Sequence, residues 1–243
     1  MRYSGSKYRF IKELIPILEK EIKPNQYFVE PFIGGANIIS NINHHLKIGS
    51  DLNENLIEMW KYFQLGGTPP KDVTKELYYD IKNNQSSYPK WIIGYVANAC
   101  SYGGKYWGGY ANFNPNKNNG KGEDHIKEAY NGTVKQLENF KFMEVTKFFH
   151  SSYEDLEYPP NSVIYLDPPY ENTTKQYKNS KFNSYNFWGW CKKMKNNGHT
   201  LFISEYNAPS DFICVWEKTK KCGMATTKTD MKQNVKVEKL FTI

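Results

Sequence analysis

The stretch Ser162-Val163-Ile164-Tyr165-Leu166-Asp167-Pro168-Pro169-Tyr170 decides how the rest of the chain is read. Its apolar and β-branched residues make a short buried strand, and the two prolines cannot continue one, so Asp167 stands at the strand's carboxyl end. Open α/β sheets place their ligand crevice at that edge. A strand-ending turn built on Asp and Pro is also a plain structural device, so the neighbouring segments must decide between the two readings.

Outward from this strand the pattern is α/β. Upstream, Ser6 is placed to cap a helix through Phe10, Leu14, Ile17, Leu18 and Ile22, with Pro16 as a local irregularity. Tyr27-Phe28-Val29 reads as a strand, Gly34-Gly35 as a turn and Ala36 to His44 as a helix. Lys47 to Asp51 then gives a second strand and Asn53 to Phe63 a second helix. Such a βαβα start implies a parallel sheet with right-handed crossovers. Residues 62–141 break the pattern with short helical pieces, an aromatic-glycine segment and an Asn/Lys/Gly stretch, and read as an insertion between 1–61 and 142–243. The sheet resumes with Phe142 to Phe148, a helix around Tyr185 to Met194 and a strand from Thr200 to Ser204. Two last strands, Ile213 to Lys218 and Val235 to Ile243, read as a long hairpin.

Composition narrows the function classes. A chain of 243 residues is long enough for one large α/β domain carrying an insertion. Its start lacks the apolar run of a signal peptide, and no stretch approaches the roughly 20 apolar residues that cross a bilayer, so a cytoplasmic protein without a membrane partner is expected. Cys100, Cys191, Cys214 and Cys222 form no CxxC pair, and His44, His45, His125, His150 and His199 show no metal-ligand spacing. No metal is expected. A formal charge of +7 favours a polyanionic partner.

The residue types after the strand fit a definite chemistry. An adenine amine has its lone pair delocalised into the ring, and to act as a nucleophile it needs acceptors that hold both N–H groups. Asp167 offers a carboxylate and Pro168 a backbone carbonyl, with the prolines fixing both toward one spot. Tyr170 would stack on a base rotated out of a duplex, or else simply pack. Val29-Glu30-Pro31-Phe32-Ile33-Gly34-Gly35-Ala36 turns out of a strand through glycines, where a ligand can approach the backbone, although an ordinary turn looks the same. Its spacing is not the GxGxxG of a dinucleotide fold. Asp51 ends the second strand, where α/β folds place an acid for ribose hydroxyls. Ser101-Tyr102-Gly103-Gly104-Lys105-Tyr106-Trp107-Gly108-Gly109-Tyr110 interleaves aromatics and glycines around a lysine. Such a loop either contacts nucleic acid through Tyr102, Lys105, Tyr106, Trp107 and Tyr110 or packs on itself. Lysines 218, 220, 221, 228, 232 and 236 of the hairpin read more readily as a solvated face than as a backbone track.

Taken in order, these segments resemble the Dam-type, D12-class N6-adenine DNA methyltransferases, especially the short forms of phages and prophages. The resemblance rests on Tyr3-Ser4-Gly5-Ser6-Lys7, Glu30 to Gly35, Asp51-Leu52-Asn53-Glu54-Asn55-Leu56-Ile57, Asp167 to Tyr170 and Ser204 to Pro209. It implies a Rossmann-like S-adenosylmethionine-dependent core with a mostly helical target-recognition region at 62–141. Tyr3, Lys7, Glu30, Phe32, Gly34, Asp51 and Asp167 are then expected at the cofactor, and Asp167, Pro168 and Tyr170 at the reacting amine. Double-stranded DNA is the expected partner, with no obligate protein partner and a monomer or weak dimer as the acting unit. Ala36 departs from the family's commoner final glycine, and Phe113-Asn114-Pro115 lacks the glycine expected after it, so no recognition sequence is carried over. Methylation of RNA or single strands, and a binding module that has lost catalysis, are the competing readings. Cytosine-C5 chemistry needs a nucleophilic cysteine in a Pro-Cys turn, which this chain lacks.

Overall fold

The structure, a computed structural model, describes residues 1–113, 122–138, 146–170, 182–221 and 235–243. These residues form seven strands and six α-helices: α1 (Ile11–Lys20), β1 (Phe28–Glu30), β2 (Lys47–Asp51), α2 (Glu54–Gln64), α3 (Lys75–Asn83), α4 (Lys90–Ala99), α5 (His125–Glu138), β3 (Thr146–His150), β4 (Val163–Leu166), α6 (Ser184–Asn196), β5 (Thr200–Glu205), β6 (Ile213–Lys221) and β7 (Val235–Thr242). The strand order is β3-β2-β1-β4-β5-β7-β6. β1 pairs with β4, β2 with β3 and β4 with β5, all parallel, while β7 runs antiparallel to β5 and β6. This is the α/β class expected of a Rossmann-like sheet. No helix among the described residues is long and apolar enough to cross a membrane.

The chain packs as two compact units, one of residues 1–20 with 30–157 and one of 21–29 with 158–243. In the first, Asn53 caps α2 by accepting from the Leu56 amide, and Leu56, Ile57, Met59, Trp60 and Phe63 face inward at helical spacing. α2 lies closely on α4 because Gly94 has no side chain; a Cβ there would sit 2.2 Å from the Asn55 carbonyl oxygen. Tyr62 stacks on Trp91 at 3.9 Å, extending the same contact.

Two local expectations fail here. Ser6 does not cap an α-helix: its hydroxyl accepts from the Tyr8 amide and from Asn37 Nδ2, and a short 3-10 turn at Tyr8–Phe10 leads into α1, which ends at Lys20. The segment 36–44 is not a helix but a turn with a 3-10 piece at Ile39–Asn41. Ala36 takes a left-handed φ of +52°, which stops helical propagation at the outset. The segment's polar backbone is then satisfied by side chains from outside it. Glu30 accepts from the Ile39 amide at 2.8 Å, and Lys47 Nζ donates to the Ile39 and Ile42 carbonyls at 3.3 Å.

In the second unit β4 is buried throughout, with β5 parallel to it. α6 starts from Asn183, whose side chain accepts from the Asn186 amide, and it buries Phe187, Cys191 and Met194. β6 and β7 make the expected hairpin, with an irregularity between Cys214 and Trp216. Of the expected strand from Phe142, residues 142–145 lie outside the described residues, as do Asn114, Pro115, Cys222, Lys228 and Lys232.

Candidate active site and cofactor turn

β1 delivers the chain into Pro31-Phe32-Ile33-Gly34-Gly35, and β2, in the first unit, delivers Asp51 beside that turn. The Ile33 amide donates to the Ser50 carbonyl at 2.9 Å, which ties the turn to β2. Asp51 then accepts from the Gly34 amide through Oδ2 at 3.1 Å and from the Asn53 amide through Oδ1 at 2.9 Å. Burial raises the Asp51 pKa, opposed by those amides and by His150. With the Leu52 amide also acting on it, three backbone amides hold the carboxylate, and its remaining acceptor capacity can take a hydroxyl donor. The Gly34 carbonyl in turn accepts from Trp60 Nε1 at 3.0 Å, a buried partner the sequence reading did not single out.

What comes close to the glycines is Tyr3. A Cβ on Gly34 would lie 2.6 Å from Tyr3 Cε1, and one on Gly35 would lie 2.8 Å from Tyr3 Cβ. Gly34 also has a positive φ of +43°, the region glycine enters without steric cost. The turn therefore needs its glycines to admit the ring of Tyr3, so Tyr3 and the glycine turn form one surface. Lys7 is buried and donates to the Gly5 carbonyl at 3.2 Å. Glu30 is buried beneath the turn on the Ile39 amide, and Phe32 stacks on Tyr153 at 5.3 Å. Gln136, from α5, reaches the turn as well, donating to the Gly35 carbonyl at 3.0 Å.

The aromatic-glycine segment divides by role. The Tyr102 amide donates to the Gly109 carbonyl and the Ala111 amide to the Cys100 carbonyl, closing a small loop. Trp107 and Tyr110 turn inward onto Tyr78, at 5.3 and 5.7 Å, and the Tyr110 hydroxyl donates to the Val73 carbonyl. Tyr102 and Tyr106 are 56% and 46% exposed, and Lys105 is partly exposed between them. The loop also touches the aromatic that lies on the glycine turn: Ser4 N donates to the Gly104 carbonyl at 2.9 Å, and a Cβ on Gly104 would lie 2.8 Å from Tyr3 N.

In the second unit, β4 ends at Leu166 and presents Asp167, partly exposed, followed by a buried Pro168. Tyr170 is itself buried. Its hydroxyl donates to Glu238 Oε2 at 2.9 Å, and its ring meets Tyr206 edge-on at 4.6 Å. Burial, followed by the Asp167 and Glu238 charges, raises the Tyr170 phenol well above its ordinary range, so it remains a donor. Tyr165, inside β4, shares a hydrogen bond with Ser204 of β5 at 2.8 Å. Tyr206 and Asn207 line a cleft of about 470 Å³ with Lys218, Val237 and Lys239 among its other walls.

Tyr206 could have been found from sequence, since it directly follows β5 at the same strand end that bears Asp167 after β4. Glu238 gave no such signal. His125 groups with Glu123 and Glu128, but Arg2 donates to Glu128 at 2.8 Å, making this an ion-pair cluster at the start of α5.

Parallel strands bearing a glycine turn after β1, an acid after β2 and a carboxylate after β4 define the class: an α/β protein with ligand-type residues at its strand ends. Residues 3–221 match the model described as D12 class N6 adenine-specific DNA methyltransferase, and the chain belongs to that family. It is similar to the modification methylase StsI of Streptococcus sanguinis, 26% identical over 219 residues that make up 80% of this chain and 32% of the relative. It is also similar to the DNA adenine methylases of Salmonella typhi and Salmonella typhimurium, 22% identical over 194 residues, 70% of this chain and 64% of theirs. The chain thus spans less than two thirds of the length of these relatives.

Proposed function

We propose that this protein transfers a methyl group from S-adenosylmethionine to N6 of adenine at a specific site in double-stranded DNA, acting as a monomer or weak dimer in a bacterial cytoplasm without an obligate protein partner. The observation that carries this reading is Asp167-Pro168-Pro169-Tyr170 at the carboxyl end of β4 in a chain of this family. S-adenosylmethionine, when bound, supplies an electrophilic methyl on a sulfonium, so no metal is required. The residues present suit that group: a carboxylate oriented by backbone amides at Asp51, and an aromatic face at Tyr3 laid on a turn without side chains.

Asp167 and the Pro168 carbonyl accept from the two N–H bonds of the adenine amine, holding its lone pair toward the methyl as the nitrogen pyramidalises. As the nitrogen–methyl bond forms and the sulfonium–methyl bond breaks to leave a neutral thioether, the Asp167 carboxylate stabilises the positive charge on nitrogen and accepts the proton that the methylated amine sheds. Tyr170 offers a ring edge or face to a base turned out of the duplex. Residues 62–141 serve as the target-recognition part, with Tyr102, Lys105 and Tyr106 reaching DNA and Trp107 and Tyr110 holding the loop that presents them.

The test is base-modification sequencing of DNA from a methylation-free host expressing this protein, beside an Asp167→Ala control. N6-methyladenine at one short motif, present only with the unaltered protein, is expected. Unmodified DNA in both samples would sink the proposal and favour a binding module or an RNA substrate.

A further inference from the structure

Glu238 is an acid between Val237 and Lys239 on β7, and it is only 3% exposed. Burying a carboxylate is costly unless it is paired and hydrogen-bonded, and a hairpin strand needs no such group, since its ladder is made by the backbone. The carboxylate accepts from the Tyr170 hydroxyl, 2.9 Å away and 68 residues distant in sequence. Tyr170 is the last residue of the Asp-Pro-Pro-Tyr turn, and Tyr206 closes on the same ring edge-on.

Packing alone would leave the ring free to rotate about the axis through its hydroxyl and to rock against Tyr206. A hydrogen bond from the tip of the ring to a fixed, buried acceptor removes the rocking. A charged acceptor does so more firmly than a neutral one.

We infer that Glu238 is a positioning residue for methyl transfer: it anchors the Tyr170 hydroxyl and so fixes the aromatic wall against which the target base is held. This inference rests on the proposed methyltransferase reading and deepens it. Glu238 touches neither methyl donor nor base; its effect passes through Tyr170. Misplacing a positioning group by about an ångström can cost on the order of a hundredfold in rate, which sets the expected size.

The experiment measures steady-state methyl transfer from radiolabelled S-adenosylmethionine to chromosomal DNA of a methylation-free host, for the unaltered protein, E238A, E238Q, Y170F and the double variant Y170F/E238A, with D167A as the inactive reference. Glu238→Ala should lower kcat about ten- to a hundredfold while the KM for S-adenosylmethionine stays within about twofold. Glu238→Gln, whose amide oxygen still accepts, should recover most of that loss. Tyr170→Phe, which deletes only the hydroxyl, should match Glu238→Ala, and the double variant should lose no more than either single one.

An E238A protein with the kcat of the unaltered chain, or losses that multiply in the double variant, would overturn the inference while leaving the methyltransferase reading intact. An unaltered protein that transfers no methyl would overturn both. If Glu238→Ala does not fold, Glu238→Gln and Tyr170→Phe decide: a Gln variant that keeps kcat beside a Phe variant that loses it supports the anchor, and a Phe variant with undiminished kcat ends it.

Discussion

Around Gly34 the chain is held by close approach, whereas around Tyr170 it is held by buried charge. At the turn after β1, Tyr3 lies where side chains at 34 and 35 would have to be, and the backbone is tied down by Trp60, Gln136 and the Asp51 carboxylate. At the end of β4, a phenol is tied to a buried carboxylate, with a second acid, Asp167, close enough to raise its pKa. The first region has a shape that added volume would spoil. The second has a negative field, which would suit the cationic methyl donor and the nitrogen acquiring positive charge in the proposed transfer. One region should therefore be sensitive to size and the other to charge.

The largest effect expected from that contrast is at Asp167. Asp167→Asn preserves size and one acceptor oxygen but removes the charge, so methyl transfer should fall about 10²- to 10³-fold, the usual cost of losing one preorganised electrostatic partner. Its thermal midpoint should hardly move, because the side chain is partly exposed. A variant with near-normal turnover would show that shape, not charge, governs the β4 end as well.

The converse belongs to the first unit. Gly104 has a φ of +69° and its added Cβ would meet the backbone of Tyr3 at 2.8 Å, a contact that no side-chain rotation relieves. Gly109, in the same loop, has a φ of +97° but nothing within 4 Å. Gly104→Ala should cost about 2 to 3 kcal/mol in unfolding free energy, combining strain with displacement of the Tyr3 segment, against about 1 kcal/mol for Gly109→Ala, which adds strain alone. Urea titrations of the two variants measure the difference. Equal losses would mean that the loop does not brace Tyr3.

The contrast also separates what the sequence discloses from what it withholds. Val163 to Leu166 is a continuous apolar run and Ile48 to Ser50 an apolar and small-residue one, and both lie in strands; Asn183 and Asn53 cap helices at the starts of periodic stretches. Those signals are local. The segment 36–44 looked helical because its apolar spacing is acceptable, but its conformation is set by Glu30 and Lys47, which lie outside it, and by the left-handed Ala36. Ala36 stands where the family's commoner pattern has glycine, and it keeps the backbone a glycine would adopt. The split of the aromatic loop into inward Trp107 and Tyr110 and outward Tyr102 and Tyr106 depends on Tyr78, more than 20 residues upstream of each of them. Asp167 was legible because a strand end announces it, whereas the partnership of Tyr170 with Glu238 spans 68 residues.

The smallest effect concerns a cation buried in the first region. Lys47 is fully buried, and burial lowers its pKa from 10.5 to about 8. Between those values the unfolded chain holds a proton that the folded chain has released, so stability rises with pH across that window. The buried thiols act in the opposite sense: burial pushes Cys100 from 9.0 up to about 12 and raises Cys191 as well, so above pH 9 the folded chain holds protons that the unfolded chain loses. Tyr78, Tyr95, Tyr110 and Tyr170, all raised from 10.0, add to that decline at still higher pH. The Met1 ammonium, which burial lowers from 8.0 to about 5, adds a rise that is nearly complete by about pH 8.5; above about pH 9 two thiols outweigh the Lys47 amine, and stability should therefore climb to that point and fall beyond it. Urea midpoints in reducing buffer from pH 7.5 to 10.5 would trace this maximum, and Lys47→Met should move it down to about pH 8.3, where the Met1 ammonium stops contributing, while leaving the fall. A Met variant whose maximum stays at the pH of the unaltered chain would show that Lys47 stays charged when buried, held by the Ile39 and Ile42 carbonyls, and that the first region, too, is built partly on charge.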